Sequence, residues 1–467
     1  MKFGIAKSGM VVLSALTLAA CAQFGRQAPL DIPTVHSLSQ GESVKGQNAW
    51  WLQLQDKKLN ALIARAVQTS PDLRIAKARF EQAQAQLGIT GAAGQPQAGL
   101  VGEGLALYAA PKPSSNQGQT DNHLLLANLA LQGSWTFDFW GKNRRQVASV
   151  LGKRQAVLYE AHQARNELAH AVAAQYFVWQ ALAEQQALLN QRIELAGKMQ
   201  QLVKRRINAK LMPSETVYPI ELAMQRLELE KIELEKKQLK IRHSLAALTG
   251  NTPAGLNIAE PSKAAVVPVL PVGGLYADLL SARPDVAAQK ALLTSRYHKV
   301  KSAEAEFYPN IELKVLAGLA HIDAFDVVRG KASGVLGVAP ALHLPVFTSG
   351  ALQSRLAGRR AEYNEQVAVY DRTVLNAMRS AADAIADYQS QQAQQPVWEK
   401  MLKVAEQSVR SAQGRVRAGL ENGLPGMKLQ DEVLRLKMQA TQQKAELLTA
   451  WSNVHLQLGG GFRSNAK

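Results

Sequence analysis

The sequence predicts a mixed, mainly α fold, written twice, in which very long helices alternate with short two-faced strand pairs. Three observations carry that expectation. Residues 142–212 contain no proline and only two glycines, Gly152 and Gly197, a run far longer than an ordinary globular helix. The stretch "GSWTFDFWGKNRRQ" (133–146) alternates Trp135, Phe137 and Phe139 with Ser134, Thr136 and Asp138, the period of a strand with one apolar face. The segment "SPDLRIAKARFEQAQAQLGITGAAGQP" from Ser70 returns as "RPDVAAQKALLTSRYHKVKSAEAEFYP" from Arg283.

Taken from the N-terminus, "MKFGIAKSGMVVLSALTLAAC" has a basic start, an apolar stretch and small residues before Cys21, which makes residues 1–20 a secretory signal peptide. Leu18-Ala19-Ala20-Cys21 resembles a bacterial lipobox, implying cleavage before Cys21 and acylation of its thiol. Ala22 in the next position, by resemblance to other lipoproteins, favours the outer membrane. Cys21 is the only cysteine, so no internal disulfide forms. A net charge of +17 would ordinarily raise nucleic acid as a partner, but an exported chain does not meet it. Beyond the signal no run of about 18 apolar residues appears, so any membrane crossing falls to strands.

The duplication sets the domain plan. Pro71-Asp72 and Pro284-Asp285, then Lys77-Ala78 and Lys290-Ala291, open the two copies, and each reaches a proline (Pro96, Pro309) 25 residues after its first. At an offset of 209, Gly141 corresponds to Gly350, and Arg206, Ala209 and Leu211 to Arg415, Ala418 and Leu420. The plan is a lipidated segment 21–56, a first repeat 57–250, a Pro-rich linker 251–274, a second repeat 275–460 and a tail 461–467.

Within the first repeat, 59–87 reads as helix, and strands lie within 97–108 and 124–140, separated by the polar "APKPSSNQGQTDNH". A helix of about 70 residues follows, about 100 Å at 1.5 Å per residue. Steps of four and three from Val147 to Val203 keep one apolar register throughout, which favours coiled-coil packing against the segment that returns from 213 to 250. The second repeat follows suit, with Pro396 expected to kink its long helix. Its strands alternate too: Ile311, Leu313 and Val315 oppose Glu312 and Lys314, and Leu342, Leu344 and Val346 oppose His343. No sequence remains to cover these apolar faces. Trp135, Phe137, Phe139, Ile311, Leu313, Val315, Leu342, Leu344 and Val346 are therefore expected to face lipid. A closed barrel needs about eight strands or more, and this chain supplies four, so copies must pool them.

The combination of "WWLQLQDKKLNALIARAV", "SPDLRIAKAR", "GSWTFDFWGK", "ARPDV", "FYPNIEL", "ALHLPVFTSG" and "LGGGF" resembles the TolC-like outer-membrane efflux proteins, in the lipoprotein branch typified by OprM and NodT. The resemblance covers essentially the whole mature chain. It implies a homotrimer whose outer-membrane β-barrel, four strands per chain, continues as a periplasmic α-helical coiled-coil barrel. It also implies export of drugs or other small toxic compounds, with a periplasmic adaptor and an inner-membrane pump of the resistance–nodulation–division or major facilitator type. The helix-turn tips, Ala209-Lys210-Leu211 and Ala418-Gly419-Leu420, would meet the adaptor; Lys210 departs from the family by standing where Gly is usual. Asp431 and Glu432 are candidates for a carboxylate ring at the periplasmic aperture, and the pair fits a solvated helix face equally well.

Catalysis finds no support. The histidines are scattered singly, His162 and His170 fall two turns apart on a helix face read as solvated, and "GLVGEGL" lacks the strand-to-helix setting of a nucleotide loop. No metal and no cofactor beyond the lipid on Cys21 is expected. The rival reading is a periplasmic coiled-coil lipoprotein, tethered to the outer membrane without a pore.

Overall fold

The computed structural model describes residues 49–108, 123–255, 261, 266–268, 270, 283–321 and 333–461. Cys21, the leader before it and most of the linker lie outside the described residues. The element order is α1 (Lys57–Thr69), α2 (Pro71–Ala92), β1 (Gln97–Tyr108), β2 (His123–Phe137), α3 (Lys142–Asn208), α4 (Tyr218–Leu248), α5 (Pro284–Ala305), β3 (Asn310–His321), β4 (Ser333–His343), α6 (Ala351–Arg417) and α7 (Gly423–Gln457). Short 3-10 turns lie at Trp50–Leu54, Ser214–Val217 and Gly459–Gly461. This is the mainly α architecture with four strands that the sequence predicts. α2 and α5 are each 22 residues long, and α3 and α6 each 67.

One helix differs from expectation. The single helix over 59–87 is two, because Pro71 has no N–H to continue α1 and Ser70 turns to an extended ψ of 130°. The cap that matters is Asp56, whose carboxylate accepts from the Lys58 and Leu59 N–H groups at 2.9 and 3.2 Å. It also accepts from Tyr176 Oη at 2.9 Å and Gln180 Nε2 at 3.2 Å, which ties the start of α1 to α3. α6 carries Pro396 in its interior, where the missing N–H removes one rung of the helical ladder without ending the helix.

The described residues divide into two compact units, one drawn from 81–155 and 290–369, the other from 49–80, 156–289 and 370–461. In the first, Leu293 and Val300 of α5 pack on Leu356 and Tyr363 of α6. α3 meets α5 through small residues. Ser149 Oγ lies 3.1 Å from Ser295 Oγ, and a Cβ on Gly152 would come within 3.0 Å of the Ala291 carbonyl oxygen. The register counted from Val147 fails at this end: Leu151 is exposed, while Ser149 and Ala156 are buried.

In the second unit that same register is buried, through Leu168, Val172, Trp179, Leu182, Leu189, Ala196 and Val203. Trp50, Tyr176, Tyr388 and Trp451 anchor its core, and Leu270 from the Pro-rich linker is buried among them, its N–H 3.3 Å from Tyr388 Oη. Arg283 fixes the start of α5 to the end of α7. Its fork binds Asp285 at 3.0 and 2.8 Å, and its Nη1 donates to the Gln457 backbone oxygen at 2.9 Å. His170, expected on a solvated face, instead lies 2.9 Å from Ser452 Oγ, and burial lowers its pKa.

Candidate functional site

The four strands form one antiparallel sheet in the order β1-β2-β3-β4. Paired residues share a face and neighbours along a strand do not, so the register sorts every side chain. Leu131 lies opposite Leu100 and Ala317, and Ala317 opposite Leu336. Leu129, Trp135, Phe137, Ile311, Leu313, Val315, Val338 and Leu342 fall on the same side, and among the described side chains no charged residue joins them. That face is bare, with Leu100 70%, Leu336 79% and Leu342 69% exposed. Gln97, Gln132, Ser134, Glu312 and Lys314 occupy the opposite face, interspersed with small and a few apolar residues. They line a cavity of about 710 Å³ reaching to Gly337 and Ala339 of β4, so the sheet curls toward its polar side.

Six of the nine positions expected on the apolar face are strand residues there: Trp135, Phe137, Ile311, Leu313, Val315 and Leu342. Phe139, Leu344 and Val346 are not strand residues. β4 ends where His343 pairs with Asn310, because Pro309 before it offers no N–H for a further rung. β2 ends at Phe137 because Asp138 turns to serve the helix, its carboxylate accepting from Asn143 N at 2.9 Å and Arg144 N at 2.8 Å. Gly141, at a φ of 78°, completes that turn, and Gly350, at 82°, completes its counterpart before α6. At the same level Trp140 stacks on Tyr308 at 4.7 Å and donates its indole N–H to the Pro309 carbonyl at 2.9 Å.

The two helix tips share one construction. Leu211 N donates to Arg206 O and Lys210 N to Ile207 O at 2.9 and 2.8 Å; Leu420 N donates to Arg415 O and Gly419 N to Val416 O, both at 3.0 Å. These are paired Schellman closures, with Lys210 (φ 59°) and Gly419 (φ 72°) in the left-handed position. Ala209, Lys210, Leu211, Ala418, Gly419 and Leu420 are all exposed, Leu211 by 65% and Leu420 by 77%.

Asp431 and Glu432 lie on the third turn of α7, and each already holds a cation. Arg192 of α3, its side chain only 11% exposed, reaches Asp431 at 2.9 Å and Glu230 of α4 at 3.2 Å. One guanidinium therefore joins three helices. Burial works against its charge, but Asp431 and then Glu230 outweigh burial and hold its pKa up. Glu432 receives both arms of Arg435 at 2.8 and 2.5 Å, and these hydrogen bonds hold its carboxyl below the usual range. Nothing in the sequence singled out Arg192. It sits beside Ile193 of the apolar register, and its partners come from 38 and 239 residues away.

Comparison with known proteins agrees with this architecture. A family model described as outer membrane efflux protein matches residues 62–251 and 275–460. The multidrug resistance outer membrane protein MdtQ of Escherichia coli O157:H7 is 29% identical over 429 residues, 89% of this chain and 88% of its own length. The Campylobacter jejuni CmeC outer membrane channel shares the fold with a TM-score of 0.83 at 20% identity, over 94% of this chain and 96% of that one. The outer membrane protein VceC of Vibrio cholerae gives 0.77 at 26% identity, over 90% and 100%. The chain belongs to the outer membrane efflux protein family, and its work is transport, not catalysis.

Proposed function

We propose that three copies close their sheets into one twelve-stranded barrel across the outer membrane, apolar face in lipid and polar face around a water-filled lumen. The helices continue the conduit into the periplasm, and drugs or other small toxic compounds pass through it to the exterior. The observation that carries this reading is the sheet itself: one face bare and, among the described side chains, free of charge, the other curled around a cavity that Gln132, Glu312 and Lys314 line, with β1 and β4 as open edges. Unpaired edge groups cost several kcal/mol each in lipid, so such a sheet is stable there only when further strands close it.

The helices support association as well. α4 exposes Leu222, Leu229, Ile232 and Leu239, and α6 exposes Val397, Met401 and Val404 beside a groove of about 530 Å³ shared with Leu429 and Leu436 of α7. A ridge and a groove of this kind suit neighbouring copies. The two matched segments support reading 57–250 and 275–460 as repeats joined by 251–274. The exposed tips around Lys210 and Gly419 would receive a periplasmic adaptor, which couples the channel to an inner-membrane pump of the resistance–nodulation–division or major facilitator type. Acyl chains on Cys21 add an anchor. Asp431, held by Arg192, and Glu432, held by Arg435, would form the periplasmic constriction as ion-paired groups rather than as a bare carboxylate ring.

Single-channel recording tests the reading. The detergent-purified chain should give discrete conductance steps in planar bilayers and run as a heat-labile trimer on detergent gels. A monomer that gives no steps would leave the tethered scaffold in its place. Labelled palmitate should enter the wild type and not Cys21→Ser.

A further inference from the structure

In the sheet-bearing unit, three helices bring four cations round one carboxylate. Glu362 on α6 accepts from Arg296 Nη1 of α5 at 2.7 Å and from Arg359 Nη1, one turn earlier on its own helix, at 2.8 Å. Lys299, one turn beyond Arg296, and Lys153 of α3 complete the group. Lys153 is brought there by the close approach at Gly152, where a Cβ would lie 3.1 Å from Ser295 N. Among the described residues neither lysine has a hydrogen bond or salt bridge of its own. Burial, then the charge of Arg296, Arg359 and Lys153, lowers the Lys299 pKa, and Glu362 offsets this only in part.

Four cations and one carboxylate leave an excess of three positive charges, with Arg296, Lys299 and Arg359 half-buried and Lys153 exposed at the edge. Such crowding works against the fold unless an anion relieves it. The donors are arranged for one. Each arginine spends a single nitrogen on Glu362 and keeps the rest of its fork, and the Lys299 ammonium brings three donors. The Arg296 and Arg359 side chains are 36% and 40% exposed, open to a solute yet partly withdrawn from water. Several neighbouring N–H donors with excess positive charge suit the oxygens of a phosphate group.

We propose that Lys153, Arg296, Lys299 and Arg359 form a phosphate-binding site, in which Glu362 holds the two guanidinium groups in place. The site lies close to the sheet. Lys299 is six residues from the end of α5 and Arg359 eight from the start of α6, about 9–12 Å of helix. A phospholipid headgroup and a water-borne phosphate both reach that level.

The test uses the full-length chain in detergent, titrated with inorganic phosphate and pyrophosphate against sodium chloride of matched ionic strength, by calorimetry and thermal melting. Parallel titrations use vesicles of phosphatidylglycerol or of phosphatidylcholine. Lys299→Met and Lys153→Met should each weaken binding about tenfold, while Lys237→Met, at an exposed position of α4, should not. Without anion, Lys299→Met should melt no lower than the parent, since it removes a cation set among like charges. Binding of the soluble phosphates identifies a water-borne ligand; binding to phosphatidylglycerol alone, with the same losses, identifies a headgroup. Chloride as effective as pyrophosphate with no preference between vesicles, or affinity unchanged in both lysine variants, overturns the site.

Discussion

Lys210 and Gly419 hold the same station at the end of a 67-residue helix, and only one of them is built for it. A left-handed backbone costs a residue with a Cβ roughly 1–2 kcal/mol, and glycine escapes that cost. Space around Gly419 is open, so Gly419→Ala isolates the backbone effect and should destabilise by about 1 kcal/mol. Lys210→Gly removes the strain but loosens the unfolded chain, leaving a smaller gain of about 0.5 kcal/mol. Chemical unfolding of the pair reads both signs; equal effects in one direction would contradict the shared geometry. His455 offers a second single-residue test. It is only 4% exposed, stacks on Trp50 at 5.8 Å, lies edge-on to Trp451 at 4.5 Å, and neither ring nitrogen has a hydrogen-bond partner. Burial pushes its pKa from 6.5 down to about 4. Between those values the unfolded chain takes up a proton that the folded chain refuses. Stability is therefore complete above pH 6.5 and falls by about 3 kcal/mol as the pH drops through the window. His455→Phe should remove that part of the acid dependence, seen as a smaller drop in Tm between pH 7.5 and about 4.5.

A strand is a different kind of object, since the meaning of a side chain there depends on its partner across the ladder. Leu131 and Gln132 are neighbours in β2 and face opposite ways, Leu131 toward Leu100 and Ala317, Gln132 into the cavity shared with Glu312 and Lys314. Leu131→Arg places a charge on the apolar face, and if that face lies in lipid, as proposed, it should cost about 2–4 kcal/mol near the bilayer centre. Gln132→Arg meets water and should insert normally. Outer-membrane levels of folded protein compare them directly, and equal insertion would mean that the apolar face is not in lipid. The same dependence on partners explains what the sequence could and could not disclose. Alternation placed Trp135, Phe137, Ile311, Leu313, Val315 and Leu342 on one face because period two is a local property. It overran at Phe139, Leu344 and Val346 because the pattern continues after the hydrogen-bonding partner has run out. The apolar register of α3 was legible where it packs with Leu and Val and failed where Ser149 and Gly152 make the contact, since small residues leave no hydrophobic signal. Arg192 was invisible for a related reason. Its importance lies in Asp431 and Glu230, which only the folded arrangement of three helices brings within reach.

At the scale of the whole molecule, the proposed trimer rests on what one chain leaves unpaired. Its sheet has two open edges, and α4 carries apolar side chains into solvent, Leu229 by 67% and Ile232 by 56%. Exposed leucines scattered singly are ordinary, whereas a row of them along one helix marks a contact surface. Leu229 and Ile232 separate assembly from folding. Because they are exposed in the single chain, Leu229→Gln with Ile232→Gln should shift protomer stability by no more than about 0.5 kcal/mol each. In an assembled ring the same positions would lie between copies, where each lost apolar side chain costs about 1.5–3 kcal/mol, repeated at every interface. The expected outcome is a chain with unchanged helical circular dichroism that no longer forms the heat-labile trimer and gives no conductance steps. If trimer and conductance survive intact, the α4 ridge is not an interface, and closure must rest on the strands alone.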